Sequence, residues 1–265
     1  MTEPFQFKTL KQLTCFNGFD VVAGITSRKD GYSEVPFQSL NMGLHVSDQS
    51  HKVIQNRKAL GEELSIPLAQ WVMGEQVHGT EIKVVAEADK GKGAFQHKDS
   101  LKGIDGIITN QKDILLTAFY ADCVPLLFLD PKSAWIGVAH AGWKGTVQEM
   151  VRHMTERLEE QGTERSDIRL VIGPCISQSH YEVDGRVTSR IGEGYKKQVL
   201  KKNNENKFNL DLKELNRQIA INAGILNNNI EVSNYCTYEE EQLFFSHRRD
   251  HGRTGRMLAY IGLKG

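Results

Sequence analysis

Two apolar segments that follow each other almost without a break constrain the fold most strongly. Residues 114–120 and 125–129 have the length and composition of buried strands, and only residues 121–124 separate them. No helix fits between these strands, so the chain cannot be a purely doubly wound parallel sheet, in which helices connect successive strands. The pair therefore predicts a layered fold of the α/β or α+β class with mixed sheets.

Apolar segments elsewhere predict further strands, with helices interspersed among them. The further strands are predicted at residues 21–26, 82–86, 134–139, 169–172, 230–235 and 257–263. No repeat, low-complexity tract or linker divides the sequence. Residues 1–265 are therefore predicted to form a single domain, which at this length can bury a substantial core.

Two helices have clear sequence signals. The first is predicted at residues 147–158, where Thr146 and Glu149 have the spacing of a capping box. Apolar residues at helical spacing, two methionines among them, form its core-facing stripe. The second is predicted at residues 212–223, with Asp211 as its N-cap and a glycine after its end.

The charges of the chain balance, with 33 Lys and Arg against 33 Asp and Glu. No overall field would hold a nucleic acid or an anionic membrane, so neither is expected as a partner. The basic cluster at residues 196–202 and the polar segment 203–207 are typical of a solvated helix end and loop. The N-terminus lacks the pattern of a signal peptide, and the cysteines form no Cys-x-x-Cys pair, so we expect reduced thiols and a cytoplasmic location.

Three residues at the ends of predicted strands suggest a metal site. His140 lies between an apolar strand and a glycine-bracketed turn, where a ring nitrogen can meet a ligand, and His78 and Cys123 also adjoin apolar segments. Two imidazoles and a thiolate suit zinc, with a fourth position open for water or substrate, and they also accept copper. The residues alone leave open that Cys123 is a small buried hydrophobe and that the histidines lie on the surface.

Two residues next to this triad are candidates for chemistry. Asp122 must lie close to the core, where a carboxylate needs a partner, so it is expected to orient a donor, the neighbour of a metal ligand, or a substrate. Lys144 lies beside the predicted start of the helix after Gly145. The amides of that helix start would face the same side as His140 and would favour an anion there.

Three further polar residues have two interpretations each. Arg28 and Asn41 lie in glycine-containing loops that can present them to a phosphate or a sugar, or that are ordinary solvated loops. Arg248 follows an aromatic pair and can belong to an anion clamp, whereas a surface pair between Arg249 and Asp250 would give the same pattern.

Eight short segments, in this order, resemble the bacterial laccase-domain family, also called the multicopper polyphenol oxidase family and later described as purine nucleoside phosphorylases. The matching segments are Thr26-Ser27-Arg28, Ser39-Leu40-Asn41-Met42-Gly43, Glu75-Gln76-Val77-His78-Gly79, Ala121-Asp122-Cys123-Val124-Pro125, His140-Ala141-Gly142-Trp143-Lys144-Gly145, Gly173-Pro174-Cys175-Ile176, and Phe244-Phe245-Ser246-His247-Arg248-Arg249-Asp250 with Thr254-Gly255-Arg256-Met257. They span nearly the whole chain, and the ordered set is highly specific.

The resemblance implies a single domain with layered α-β-β-α architecture and a metal held by His78, Cys123 and His140. It also implies phosphorolysis of adenosine, inosine, guanosine and methylthioadenosine, and deamination of adenosine. The older family names imply copper-dependent oxidation of phenols. The chain lacks the clustered His-x-His ligands that several coppers require, so a single site with these ligands suits zinc better.

The resemblance also suggests roles for individual residues in the nucleoside reactions. The residues expected to be catalytic are Asp122, as a proton shuttle, with Cys123 and His140. The residues expected to bind substrate are Arg28, Arg248 and Lys144 for phosphate, and Gln76 and Asn41 for ribose or base. Two alternatives stay open: zinc-dependent amide hydrolysis, and a non-catalytic zinc-stabilised binding protein whose metal is closed by Cys175.

Overall fold

The computed structural model describes residues 2–203 and 207–264, in which it places three sheets and six α-helices. The strands are β1 Gln6–Phe7, β2 Gln12–Thr14, β3 Val21–Thr26, β4 Trp71–Met73, β5 Ile82–Val84, β6 Gly106–Thr109, β7 Leu115–Tyr120, β8 Val124–Asp130, β9 Trp135–Ala141, β10 Arg169–Ile172, β11 Glu182–Val183, β12 Leu200–Lys202, β13 Phe208–Leu210, β14 Ile230–Val232 and β15 Met257–Leu263. The helices are α1 Ser50–Leu64, α2 Trp143–Val147, α3 Met150–Glu159, α4 Gly185–Thr188, α5 Glu193–Val199 and α6 Leu212–Asn222. None of the helices in these residues is long and apolar enough to cross a membrane.

Two six-stranded sheets form the centre of the molecule. The first has the strand order β1-β2-β3-β15-β7-β4, and the second has the order β14-β10-β8-β9-β6-β5. Most neighbouring strands are antiparallel, but β4 pairs with β7, β5 with β6 and β10 with β14 in parallel. A small third sheet has the order β11-β13-β12. The prediction of a mixed α/β fold is confirmed.

The two large sheets pack face to face, and helices cover their outer faces. Alternate residues of β8 point to opposite sides: Leu126 and Phe128 pack towards α3 and α6, whereas Leu127 and Leu129 pack towards the first sheet. On the other side of the molecule, Leu60 of α1 packs on the outer face of the first sheet. The order of layers is thus α1, first sheet, second sheet, α3 with α6, which confirms the α-β-β-α arrangement.

One predicted helix is wrong at its start. Residues 147–158 form no continuous helix, because α2 ends at Val147 and α3 begins at Met150, with Glu149 between them at φ +60°. The predicted capping box does not form. The Thr146 hydroxyl donates to the Ala141 carbonyl and accepts from Asn216, while the Glu149 carboxylate pairs with Arg152. The helix start beside His140 is therefore that of a five-residue helix.

Other boundaries agree with the sequence to different extents. Asp211 caps α6 as predicted, since its carboxylate accepts from the Glu214 N–H at 3.0 Å. The strands predicted at residues 82–86 and 230–235 end earlier, at Val84 and Val232. In the predicted solvated segment after α5, Leu200–Lys202 is instead strand β12, and residues 204–206 lie outside the described residues. Helix α1 was not predicted.

Arg57, on α1, is a buried cation that joins two loops. Its guanidinium donates to the carbonyl of Met42 at 2.9 and 2.7 Å, and to those of Gly93 and Ala94 at 2.8 and 2.6 Å. The side chain also lies over the ring of Phe119. Because the planar guanidinium can donate to several carbonyls at once, Arg57 attaches both the loop before His45 and the loop before His97 to α1.

Arg57→Met is expected to destabilise the protein by about 2–4 kcal/mol, because it leaves three main-chain carbonyls without their donor in the interior. Lys58→Met is the matched control, since Lys58 is the exposed neighbour on the same helix, and it is expected to change stability by less than about 0.5 kcal/mol. Urea unfolding of both variants measures the difference. Equal stabilities for the two variants would contradict a structural role for Arg57.

Candidate functional site

His78, Cys123 and His140 come together where the two large sheets meet. Their potential ligand atoms all lie within 4.8 Å of one another, and they form the one such group of three in residues 2–203 and 207–264. His140 lies within β9, one residue before its end, and not in the turn after it as expected. Cys123 directly precedes β8, and His78 lies in the loop between β4 and β5.

The local backbone brings the three side chains close. Residues 121–123 carry the chain from the first sheet to the second, and Asp122 makes this turn with φ +83°. Gly142 leaves the necessary space, because a Cβ atom there would lie 2.9 Å from His78 Cδ2 and 3.0 Å from Cys123 Sγ. Any side chain at this position would enter the space between the ligands.

Asp105, directly before β6, holds two of the three ligands in place. One carboxylate oxygen lies 3.0 Å from His140 Nδ1, so the other ring nitrogen of His140 is left for a metal. The same carboxylate accepts the backbone N–H groups of Val77, His78 and Gly79 at 2.9–3.0 Å. It thereby fixes the loop in which His78 has φ +63°.

The electrostatics of the site favour a thiolate. Burial raises the pKa of the Cys123 thiol, but the charge of His140 and hydrogen bonds from His140 and His78 outweigh this effect and lower it to about 6. Burial lowers the pKa of His140, while Cys123 and Asp105 raise it to about 9. Without a metal, the pair is thus a thiolate and an imidazolium. A cation that replaces the imidazolium proton finds a ligand already deprotonated.

The triad lines a cleft of ≈ 630 Å³, a size typical of small-molecule sites. The other residues that line this cleft are His45, Glu75, Gln76, Val77, His97, Phe119, Ala121, Asp122, Trp143, Lys144, Ile176, Tyr181, Leu212, His247, Arg248 and Arg256. Cations, imidazoles and aromatic rings thus surround the three potential ligands. A planar, polar molecule with an anionic partner fits such a lining.

Of the residues expected to bind substrate, three lie in this cleft. Lys144 is exposed over the Trp143 ring, and Arg248 lies over the ring of Tyr181. Gln76 also lines the cleft, but both ends of its amide bond the backbone of Phe119, at 2.9 and 2.7 Å. Gln76 therefore fastens the His78 loop to the end of β7.

Arg28 and Asn41 lie outside the lining of this cleft. The guanidinium of Arg28 donates to the carbonyls of Gln38 and Glu241 and lines a separate open depression of ≈ 720 Å³, whose lining includes no histidine or cysteine. Asn41 is fully buried. Its amide nitrogen donates to the Asp48 carboxylate, and its amide oxygen accepts the N–H groups of Gly43 and Arg256. Both residues shape loops in this structure.

Asp122, in the segment between β7 and β8, holds the loop that forms the rim of the cleft at Arg248. Its carboxylate accepts from the Thr237 hydroxyl at 2.6 Å, the Ser246 hydroxyl at 3.1 Å and the Arg248 N–H at 2.7 Å. The carboxylate therefore has the partners that its burial requires, and it holds the loop that carries Arg248. The neighbouring Arg249 pairs with Asp250, at 2.8 Å, and does not line the cleft.

Cys175 is not part of the triad. It is fully buried, its thiol donates to the Ile176 carbonyl, and burial raises its pKa to about 12. Such a thiol stays protonated and is a poor metal ligand.

Four residues of this site were not predicted from the sequence. Asp105 had a usable signal, because it directly precedes an apolar strand just as Cys123 does. Arg256 lies in one of the segments that carry the family resemblance, but no role followed from it. His45 and His97 come from loops without a pattern, and only the packing of α1 against both loops brings them together.

Comparison with known proteins agrees with the resemblance. The family model described as multi-copper polyphenol oxidoreductase laccase matches residues 22–264. The chain belongs to this laccase family. Among its relatives, purine nucleoside phosphorylase YlmD of Bacillus subtilis (strain 168) is 45% identical over 251 residues, which are 94% of this chain and 90% of that protein. Purine nucleoside phosphorylase YlmD of Geobacillus stearothermophilus is 44% identical over 245 residues, which are 91% of this chain and 89% of that protein.

Solved structures show the same fold for the laccase family. The crystal structure of Bacillus licheniformis hypothetical protein YfiH superposes with a TM-score of 0.97 at 42% identity, covering 99% of this chain and 100% of that chain. The crystal structure of YlmD from Geobacillus stearothermophilus gives a TM-score of 0.95 at 40% identity and covers 100% of both chains.

Proposed function

We propose that this protein is a zinc-dependent purine nucleoside phosphorylase that also deaminates adenosine. The observation that carries the proposal is the His78, Cys123 and His140 group in a ≈ 630 Å³ cleft that also contains cations and aromatic rings. Two relatives are named purine nucleoside phosphorylases. The proposed substrates are adenosine, inosine, guanosine and methylthioadenosine, together with inorganic phosphate.

The donor set fits a single divalent metal. One thiolate and two imidazoles suit zinc, and their position in an open cleft leaves a coordination site for water or substrate. When bound there, zinc supplies Lewis acidity, which stabilises negative charge developing on a coordinated atom. His78, Cys123 and His140 would hold it, and Asp105 would keep His140 in the tautomer that can bind.

Phosphorolysis requires the protein to place an anion and a purine nucleoside side by side. A phosphate oxygen forms a bond to C1′ as the bond from C1′ to the purine nitrogen breaks. The electron pair of that bond goes to the purine, and the proton of hydrogenphosphate ends on the base. In this proposal the side chains of Lys144, Arg248 and Arg256 are the cations available to the phosphate, and the rings of Trp143 and Tyr181 pack against the base.

The open metal position favours adenosine deamination as a second activity of the same cleft. Water adds at C6 of the purine, ammonia leaves, and inosine is formed. Asp122 lines the cleft and is the candidate for moving the proton, although its carboxylate already accepts three hydrogen bonds. A carboxylate that only holds the Arg248 loop would leave the pH profile of deamination unchanged on replacement by asparagine.

Copper-dependent oxidation of phenols is the alternative that the family description suggests. One group of three His, Cys or carboxylate side chains occurs in the described part of the chain, so the structure favours a reaction at a single metal. Oxidation of a phenol would consume oxygen and would need copper at this site.

The test is to incubate zinc-loaded protein with adenosine, with and without phosphate, and to separate the products by chromatography. We expect adenine and ribose 1-phosphate only when phosphate is present, and inosine in both conditions. The copper-loaded protein, supplied with a phenol in an oxygen electrode, is the parallel arm. Oxygen consumption there, without any nucleoside product from the zinc form, would refute the proposal.

A further inference from the structure

The cleft has two chemically different walls. One belongs to the helical layer on the second sheet and consists of Trp143, Ile176, Tyr181 and Leu212, which pack with that core. The other lies over the first sheet, where the ring of His45 is 5.4 Å from that of Phe119 and 5.5 Å from that of His97. Burial and the negative charge of Cys123 raise the pKa of Tyr181, on the first wall. The same charge opposes the lowering of the pKa of Arg256 by burial, on the second wall. The triad therefore lies between an apolar, aromatic wall and a polar wall that carries the Arg256 cation.

Arg256, on the polar wall, is a half-buried cation that contacts no carboxylate in the described part of the chain. Its Nη1 donates to the carbonyls of Thr254 and Gly255 at 2.8 and 2.9 Å. In residues 2–203 and 207–264, its Nε and Nη2 meet no acceptor, and no carboxylate lies within 4.0 Å of the guanidinium. Burial lowers the pKa of Arg256, but a guanidinium still keeps its proton, so the charge needs a partner. An anionic ligand would supply that partner.

The cations on the aromatic wall are already engaged. The guanidinium of Arg248 donates to the carbonyls of His180 and Glu182 and lies 5.0 Å from the centre of the Tyr181 ring. Lys144 lies 5.9 Å from the centre of the Trp143 ring. Both of these cations are exposed and lie over aromatic rings, whereas Arg256 is half-buried and has donors that meet no acceptor among the described residues.

Arg256 is also held in a fixed position by residues that have no other contact with the cleft. Its backbone N–H donates at 2.9 Å to the buried amide oxygen of Asn41. Gly43 allows close approach, because a Cβ atom there would lie 2.9 Å from Arg256 Cγ and 3.1 Å from His45 Cε1. A donor that is fixed before the ligand arrives loses little entropy when it binds.

We propose that Arg256, with the imidazoles of His45 and His97 beside it, forms the subsite for the phosphate oxyanion, and that inorganic phosphate is its occupant. The inference rests on the proposed phosphorolysis and adds an orientation to it. The purine then lies on the wall of Trp143 and Tyr181, and C1′ faces Arg256 across the triad. The phosphate group of a nucleoside 5′-monophosphate has the same chemistry and is tested as the other source.

The test measures binding of inorganic phosphate alone to the zinc-loaded protein by titration calorimetry, and then the kinetics of phosphorolysis. Arg256→Met is expected to weaken phosphate binding and to raise the KM for phosphate roughly 10- to 100-fold, with the KM for nucleoside nearly unchanged. Arg256→Lys keeps the charge and is expected to restore part of the loss, which guards against a merely misfolded variant. Arg186→Met is the matched control, since this exposed arginine lines neither the cleft nor the depression beside it, and it is expected to behave as wild type.

Two binding results would overturn the subsite. One is unchanged phosphate binding in Arg256→Met together with lost binding in Arg248→Met, which would move the anion to the aromatic wall. The other is a loss in Arg256→Met confined to adenosine 5′-monophosphate, which would make a phosphate ester the occupant. If wild type binds phosphate through Arg256 but forms no ribose 1-phosphate, the proposed subsite is supported and the proposed phosphorolysis is refuted. If phosphorolysis proceeds with an unchanged phosphate KM in Arg256→Met, the function stands and the subsite falls.

Discussion

Cys123→Ser is expected to abolish metal binding at neutral pH and, with it, both of the proposed nucleoside reactions. The thiolate is the one anionic ligand of the triad, and its lowered pKa keeps it charged at pH 7. A serine hydroxyl has nearly the same shape but stays neutral, so the metal would keep only two imidazole ligands. We expect metal affinity to fall by more than the roughly 100-fold that is typical of removing an outer partner of a ligand. Metal content after dialysis and phosphorolysis rates measure the two effects.

Cys175→Ala is the matched control for this variant, because Cys175 is another free cysteine near the end of a strand, and it lies outside the triad. It is expected to keep the full metal content and activity, with only a small loss of stability from the cavity. Loss of the metal in Cys175→Ala would favour the alternative of a closed, structural zinc site. A wild-type level of bound metal in Cys123→Ser would remove Cys123 from the ligand set.

Asp105→Asn is expected to lower metal affinity about 10- to 100-fold while leaving all three ligands in the chain. The neutral amide no longer increases the basicity of His140. It also offers one oxygen where the carboxylate uses two to accept the N–H groups of Val77, His78 and Gly79. Both histidine ligands are therefore disturbed by one substitution. Competition with a coloured zinc chelator measures the affinity.

Asp122→Asn makes the same chemical change next to Cys123 and is the control. Its carboxylate holds Thr237, Ser246 and the Arg248 N–H, so we expect near wild-type metal affinity and an altered rim of the cleft. Equal losses of affinity in the two variants would show that any buried carboxylate near the site matters equally. That result would contradict the specific role of Asp105.

The sequence predicted those parts of the fold that depend on burial over a few residues. The strands Leu115–Tyr120 and Val124–Asp130 are buried throughout because the two sheets and the helical layers cover both of their faces. The break between α2 and α3 was not predictable in this way. It depends on Asn216 of α6 and on Ala141, which engage the Thr146 hydroxyl that would otherwise cap a continuous helix.

The candidate site was predictable where a residue adjoins a strand and unpredictable where it depends on contacts between loops. His78, Cys123 and His140 stand beside apolar segments, which made them candidates, and the family resemblance implied that they hold one metal. Arg28 and Asn41 share the loop composition of binding residues, yet their side chains bond the protein itself. The single-domain prediction for residues 1–265 and the roles of individual substrate contacts stay predictions.

The crossings between the two sheets have a mechanical consequence. Two of the three ligands, His78 and Cys123, lie on segments where the chain leaves the first sheet for the second, and His140 lies in the second sheet itself. Apolar side chains alone resist sliding of one sheet over another only weakly, because they are not directional. An ion bound at these crossings would fix the position of one large sheet relative to the other. Loading the metal should therefore slow hydrogen exchange in β7, β8 and β9 together, and the proposed catalytic centre would also be the point that stiffens the interior.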